Sequence, residues 1–393
     1  MLIPKYWAQH KQQFRSLATA DNLPKQATIK RYGWSDTSQV AALDHAKTRV
    51  FEAHKHWLAG EDILRRERKE EYNEGNGIPI REQIFAEQTF PQNASVSITQ
   101  VIVTRNSYGA QVANVDNIAI IDVDNAELLH HLYSDHYDRH GFIITAANQN
   151  QPITKGLVWS FVIIFALIAS IIAWQSWSWL WLIVVMVAAT AFLWQKASKE
   201  EQARQQKIDA DLASLLSFMT DLMQKRIGNY PDEAFRLYKT PAGFRIIAIH
   251  DTVLPSDRLI AEWFEYFHAD ANYVRLCQSQ QCFRARLTSK PWRMTEVTET
   301  NKLSKNIPTK DFWSMPIDDV DSEENELRYA ELEAREKWLA DYDKFAKGYK
   351  ACRYVESFDG REVSDSKPAP DAIGEFVDWH DRVCRVDKDL PLG

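Results

Sequence analysis

The sequence predicts an α+β fold: a mostly antiparallel sheet with helices on one face, interrupted by a two-helix transmembrane hairpin. Three observations predict it. Short runs rich in β-branched residues follow one another across turn residues between Val96 and Val123, and again between Ala234 and His250. Helical periodicity lies before, between and after these runs rather than alternating with them, which disfavours a parallel crossover fold. Forty consecutive residues, Gly156 to Gln195, carry no charge.

Taken in order, Ala27–Tyr32 reads as a strand and Gly33-Trp34 as a turn. Ser35 or Asp36 would cap a helix to about Leu58, with Gly60 just past its end. Val40, Ala42, Ala46, Val50, Ala53 and Trp57 give that helix its apolar stripe. From Gly60 to Glu87 the charge and the interruptions Gly75, Gly77 and Pro79 predict mostly loop. Three strands follow, Val96–Thr104, Ala110–Asn114 and Ile118–Val123, and then a helix from Ala126.

The uncharged run is long enough for two spans, since about 20 helical residues cross a hydrocarbon core of roughly 30 Å. The polar cluster Gln175-Ser176-Trp177-Ser178 divides it into spans near 156–174 and 179–195. Six of the 14 Trp lie in the run, at both ends and around the turn, where indoles settle at headgroup level. Arg139 and Lys155 precede it and Lys196, Lys199, Arg204 and Lys207 follow it, so the positive-inside rule predicts both termini in the cytoplasm.

Beyond the hairpin, Leu212, Leu215, Leu216, Met219, Leu222 and Met223 continue a helix that should stop by Gly228 and Pro231. Ala234–Lys239 and Phe244–His250 read as a hairpin around Thr240-Pro241-Ala242-Gly243. A helix should run from Ser256 or Asp257 to about His268, with short strands at Tyr273–Leu276 and Cys282–Leu287. Asn301–Pro316 reads as a linker, Ser322–Phe345 as an acidic helix, and the remainder as a polar tail. The parts are then residues 1–95, an N-terminal αβ part; 96–155, the first strands; 156–195, the membrane hairpin; 196–295, a helix, a β-hairpin and a basic strand packing with 96–155; and 296–393, the linker, acidic helix and tail.

A chain of 393 residues with 45% hydrophobic and 26% charged residues is not disordered, and four Cys make no disulfide framework. A net charge of −7 excludes a uniformly basic nucleic-acid coat and leaves room for a local basic site. No Walker loop, Gly-x-Ser-x-Gly elbow or dinucleotide-binding glycine pattern occurs.

The sharpest candidate chemistry is Ile120-Ile121-Asp122-Val123-Asp124. Alternate strand residues share a face, so Asp122 and Asp124 present two carboxylates together, and a Mg²⁺ or Mn²⁺ ion bridged to substrate phosphates would relieve their repulsion. A plain strand running into a turn would use the same residues. His250 ends the later hairpin as a candidate phosphate contact, and Arg245 lies on the opposite strand face. Phe283–Arg293 is the most basic stretch. Arg284, Arg286 and Lys290 in it, with Trp292, suit phosphates, nucleic acid or anionic lipid headgroups. A solvated basic edge is the bland reading of the same stretch. His130, His131, His136 and His140 crowd eleven positions, the last two at a spacing that can chelate zinc on a helix, but no four-ligand zinc set stands at good spacing and a side-chain cluster near the bilayer is the expected reading. Cys277 and Cys282 have four residues between them, Cys352 and Cys384 stand apart, and all four read as buried, inert thiols.

The Asp-x-Asp strand, the Thr-x-x-Gly turn and the strand ending in His250 resemble the catalytic core of the archaeo-eukaryotic primase superfamily. The resemblance implies metal ligation by Asp122 and Asp124 and a phosphate contact by His250. The chain departs from that pattern at Ala248, where a small hydroxyl residue is usual, and in lacking a clear third acidic residue. Over its whole length it is more similar to an uncharacterised family of bacterial transmembrane proteins, through Arg31-Tyr32-Gly33-Trp34-Ser35, Ile78-Pro79-Ile80-Arg81-Glu82 and Phe283–Arg293. That likeness implies the bacterial inner membrane and brings no activity.

Two functions are therefore expected, the first as the leading reading and the second as its alternative. One is an inner-membrane protein binding a divalent metal and a nucleotide or phosphate ester at Asp122, Asp124 and His250, with Arg245, Arg284, Arg286 and Lys290 as anion contacts. The other is a non-enzymatic membrane scaffold or sensor that binds lipid through its basic edge, or a protein partner or second copy through the acidic helix.

Overall fold

The computed structural model describes residues 1–16, 25–65, 78–91, 98–143, 179–309, 311–313, 323–360 and 371–393. The chain divides into two compact units, one made of residues 1–123 with 226–393 and the other of residues 124–225. The architecture is α+β with antiparallel sheets, as the sequence predicts.

The first unit opens with an antiparallel pair that the sequence pattern half concealed. β1 (Tyr6–Ser16) pairs with β2 (Lys25–Ser35), Tyr6 standing opposite Ser35. Polar residues dominate β1, so it carries little hydrophobic signal. α1 (Gln39–Leu58) lies on the pair, and its cap is Ser38, whose Oγ accepts from Ala41 N, rather than Ser35 or Asp36. Ala42, Ala46, Val50 and Ala53 of the predicted stripe are buried, while Val40 is exposed. Gly33, predicted as a turn, is an interior strand residue. A Cβ there would lie 2.2 Å from Ala46 N and 2.3 Å from Ala42 O, so glycine serves close backbone approach, not turning.

β3 (Gln83–Pro91), β4 (Ile98–Arg105), β5 (Gln111–Val115), β6 (Ile120–Asp124), β7 (Ala234–Thr240), β8 (Gly243–Ala248), β9 (Phe283–Arg286) and β10 (Arg353–Asp359) build two four-stranded sheets. One has the order β3-β4-β5-β9 and the other β10-β7-β8-β6. β3 starts inside the stretch predicted as loop. The predicted hairpin is present as β7 and β8, with Thr240 opposite Gly243. β9 pairs with β5, Val115 opposite Phe283, and β10 edges the other sheet through β7. Sheet neighbours thus come from both sides of the uncharged run.

α4 (Arg258–Tyr266) is the helix predicted after Asp257. Tyr273–Leu276 is not a strand but part of α5 (Ala271–Gln280). The apolar run there is too short to fix a period, and Asp270 decides the matter by accepting from Tyr273 N at 2.6 Å. After β9 comes a single turn, α6 (Thr295–Thr298), and then α7 (Glu323–Ala346) and α8 (Asp371–Cys384). The predicted linker is packed: Leu303 and Ile307 are buried in one cluster with Val297, Trp338, Tyr342 and Ala346. The predicted polar tail likewise supplies β10 and an amphipathic α8, whose Phe376 and Trp379 rings lie 6.1 and 6.0 Å from that of Phe90.

In the second unit, α2 (Asn125–Leu132) begins where a helix was expected, and α3 (Trp179–Asn229) follows, its last residues from Arg226 belonging to the first unit. Tyr133 Oη lies 2.9 Å from Ser214 Oγ, and Tyr137 Oη donates to Asp211 at 2.8 Å. His136 and His140 lie in turns, not on a helix, so their zinc-chelating spacing is not realised. His130 Nδ1 is 2.9 Å from the Tyr137 carbonyl.

Among the described residues no helix is long and apolar enough to cross a membrane, so the predicted hairpin is not found among them. The span near 156–174 and the turn at 175–178 lie outside the described residues. The second span falls on the start of α3, where Val187, Phe192, Leu193 and Trp194 are exposed, Trp194 by 77%.

The Gly33 approach gives a direct test. Gly33→Ala must push α1 off β2 and should cost at least the upper end of the roughly 1–3 kcal/mol typical of overpacking. Equilibrium denaturation of the two proteins measures it; an unchanged midpoint would refute the close approach.

Candidate metal centre

The residues predicted to carry chemistry fall in three places. Asp122 is half-buried on β6, on the same strand face as Asp124. Burial pushes its carboxyl up from the ordinary range; Arg245, Arg286 and Lys290 pull it down, and Asp270 adds to the rise. Three predicted anion contacts thus converge electrostatically on the first predicted metal ligand. Asp124 ends β6 immediately before α2 and makes no side-chain cap hydrogen bond to it.

His250 is held elsewhere. Its Nδ1 lies 3.1 Å from the backbone N and 2.9 Å from the carbonyl of Ala234, so either tautomer engages the backbone of β7. Its ring packs edge-on against Phe235 and Trp263, each 5.5 Å away between centroids. Arg284 is held too. Its Nη2 reaches both carboxylate oxygens of buried Glu82, at 2.8 and 2.9 Å, and its Nη1 donates to Gln280 at 2.5 Å. Lys290 sits 5.5 Å from the Trp292 ring centroid and 6.0 Å from that of Tyr108.

Arg245 leads to a centre that sequence reasoning missed. Only 2% exposed, it extends from β8 into a pocket formed by Cys352, just before β10, and by His380 and Cys384 of α8. All three are fully buried, and one ligand atom from each, the two sulfurs and an imidazole nitrogen, lies within 4.8 Å of the others. Arg245 Nη1 donates to His380 Nε2 at 2.9 Å and reaches both sulfurs at 3.9 Å. Its Nη2 donates to the Arg286 carbonyl at 3.0 Å, while its Nε is buried with no hydrogen-bond partner among the described residues.

The tautomer of His380 follows from its surroundings. Nδ1 faces Asp381 Oδ1 at 2.9 Å and must donate to it, which leaves Nε2 with its lone pair toward Arg245 and the thiols. Asp381 is in turn held by Arg236 at 2.7 Å, at the wall of a cleft of about 520 Å³ that Arg382, Arg385 and Lys388 also line. Burial lifts the Cys384 thiol, but the hydrogen bond from Cys352 and the charge of Arg245 outweigh it and leave Cys384 below the usual thiol range. Burial dominates at Cys352, whose thiol lies well above that range.

All four cysteines are buried and free, as predicted, but Cys352 and Cys384 are not isolated. A buried Cys/His/Cys group of this kind could hold a metal ion. One signal for it stood in the sequence: His380 and Cys384 are four apart on an amphipathic helix, which places both on one face. The contribution of Cys352 is tertiary and had no local mark.

Two outcomes follow from these contacts. Arg284→Met leaves Glu82 charged and buried, and should cost about 3–5 kcal/mol by denaturant titration; near-neutral behaviour would show the pair to be idle. Because the Asp122 pKa is raised in the folded state, its penalty is absent below about pH 3.8 and grows as pH rises through the folded value. Asp122→Asn should therefore gain stability on the wild type between pH 4 and pH 7, and parallel stability curves would count against that burial. In comparisons with known proteins, no family model, curated protein or solved structure matches this chain.

Proposed function

We propose that the protein is a membrane-tethered, non-enzymatic scaffold or sensor, anchored through residues 156–195 and presenting its α+β domain to a protein partner. The tether rests on the forty-residue uncharged run and on the exposed Val187, Phe192, Leu193 and Trp194 of α3, apolar surface suited to lipid. On this reading the flanking basic residues hold both termini at the cytoplasmic face of a bacterial inner membrane.

One observation carries the scaffold reading. The second half of α7 is locked into the core through Trp338, Leu339, Tyr342 and Ala346, while its first half exposes Leu327 by 68% and Tyr329 by 63% among Glu326, Glu331 and Glu333. A helix rooted in the core that turns acidic and apolar side chains outward along its first half is a rigid platform for a basic, apolar partner surface.

A second reading has one observation in its favour. Asp122 and Asp124 share a strand face and are both half-buried, the arrangement a hard cation such as Mg²⁺ or Mn²⁺ would bridge toward a nucleotide or phosphate ester. The engagement of His250 with the backbone of β7 weighs against it.

Two measurements separate the readings. The full chain should stay in membranes washed at alkaline pH, and a photo-crosslinking residue at Leu327 should give a discrete heteromeric adduct there; release from the membrane, or no adduct, would end the scaffold proposal. Mn²⁺-dependent nucleotide binding that disappears in Asp122→Ala/Asp124→Ala would establish the second reading instead.

A further inference from the structure

We infer that Cys352, His380 and Cys384 form a binding site for a zinc-type cation, and that Arg245 occupies the place of that cation in its absence. This goes beyond the scaffold reading and does not depend on it.

The donor set selects the class of ion. Two thiol sulfurs and one imidazole nitrogen suit a borderline-soft cation such as Zn²⁺ and not the hard Mg²⁺ or Mn²⁺ expected at carboxylates. Geometry comes next. The three donor atoms converge within 4.8 Å from two separate elements, so only modest closure is needed to bring all three onto one ion. The imidazole is set for ligation: Asp381 accepts a hydrogen bond from Nδ1–H, and Arg236 fixes Asp381. A carboxylate behind a histidine is the usual support of a zinc-bound imidazole.

Arg245 is the third line of argument. Its Nη1 lies 2.9 Å from Nε2 and 3.9 Å from each sulfur, among the three donors a metal would take. A buried guanidinium ordinarily demands a carboxylate partner. No carboxylate is among the hydrogen-bond partners of Arg245, which are an imidazole, two sulfurs and a carbonyl, and its Nε has none among the described residues. Positive charge at this point is therefore stabilised by donors better suited to a metal. On binding, Zn²⁺ takes the lone pair of Nε2 and both sulfurs, two thiol protons are released to solvent, and the Arg245 N–H turns from the imidazole toward the ligated sulfurs. Asp381, which supports the imidazole, also lines the neighbouring cleft.

The test uses the full chain in detergent, freed of metal by chelation and titrated with Co²⁺ as a spectroscopic probe. A thiolate-to-cobalt charge-transfer band with intense tetrahedral ligand-field bands should appear and be bleached by one equivalent of Zn²⁺. Cys384→Ala and His380→Ala should each weaken Co²⁺ binding at least 100-fold, and Arg245→Met should tighten it at least tenfold by removing the competing cation. A second readout needs no variant. Zn²⁺ should slow alkylation of Cys352 and Cys384 in the wild type at least tenfold, read by peptide mass spectrometry, while Cys277 and Cys282 keep their rates as internal references. No charge-transfer band, or equal Zn²⁺ effects on all four thiols, would overturn the site. Unchanged or weaker affinity in Arg245→Met would overturn the role given to Arg245.

Discussion

A guanidinium sealed from water constrains the rest of the first unit. Removing a charged group from solvent costs several kcal/mol even after relaxation, and the protein must return that energy through oriented partners. Arg245 obtains it from four places at once: the imidazole of His380, the sulfurs of Cys352 and Cys384, and the carbonyl of Arg286. Those partners come from α8, the approach to β10, and β9. One cation therefore requires the C-terminal helix, an edge strand and the strand of a second sheet to be in register together. Asp122 on β6 feels the same charge, so the acidic strand end and the thiol–imidazole group belong to one electrostatic system.

Two other buried ions act in the same manner. Arg284 on β9 meets Glu82, just before β3, across the width of its sheet. Arg226, near the end of α3, takes both oxygens of Glu233 at 2.6 Å and reaches Glu262 of α4, while Trp263 donates to Glu233 at 3.0 Å. Replacing such pairs by hydrocarbon often costs nothing, whereas breaking one partner costs much. Their value here is positional: through Arg284–Glu82 and Arg226–Glu262 each joins segments that local sequence does not bring together.

How much of this was legible in the sequence depends on which signals are local. The β7–β8 hairpin, α1, α4 and the strands β4 to β6 were readable because periodicity and punctuation agreed there. β1 and β3 were not, since polar side chains on paired strands leave no alternation to see. Gly33 misled, because absence of a Cβ serves close packing as well as turning. At the site, Asp122 was expected as a metal ligand and Arg245, Arg286 and Lys290 as anion contacts; the three cations act together on the Asp122 carboxyl, while the partners of His250 and Arg284 are tertiary. The thiol–imidazole group needed Cys352 and α8 in place before it could be recognised.

The strand order has a consequence for how the chain is made. β5 finds its outer neighbour only in β9, about 170 residues later, and a ribosome adding ~5–20 residues per second needs on the order of ten to thirty seconds to supply it. Through that interval Val112, Ala113 and Val115 stand on an open edge, the kind of surface that recruits foreign strands. Whatever shields the nascent chain during that wait, rather than any property of the finished molecule, governs how much of it escapes aggregation.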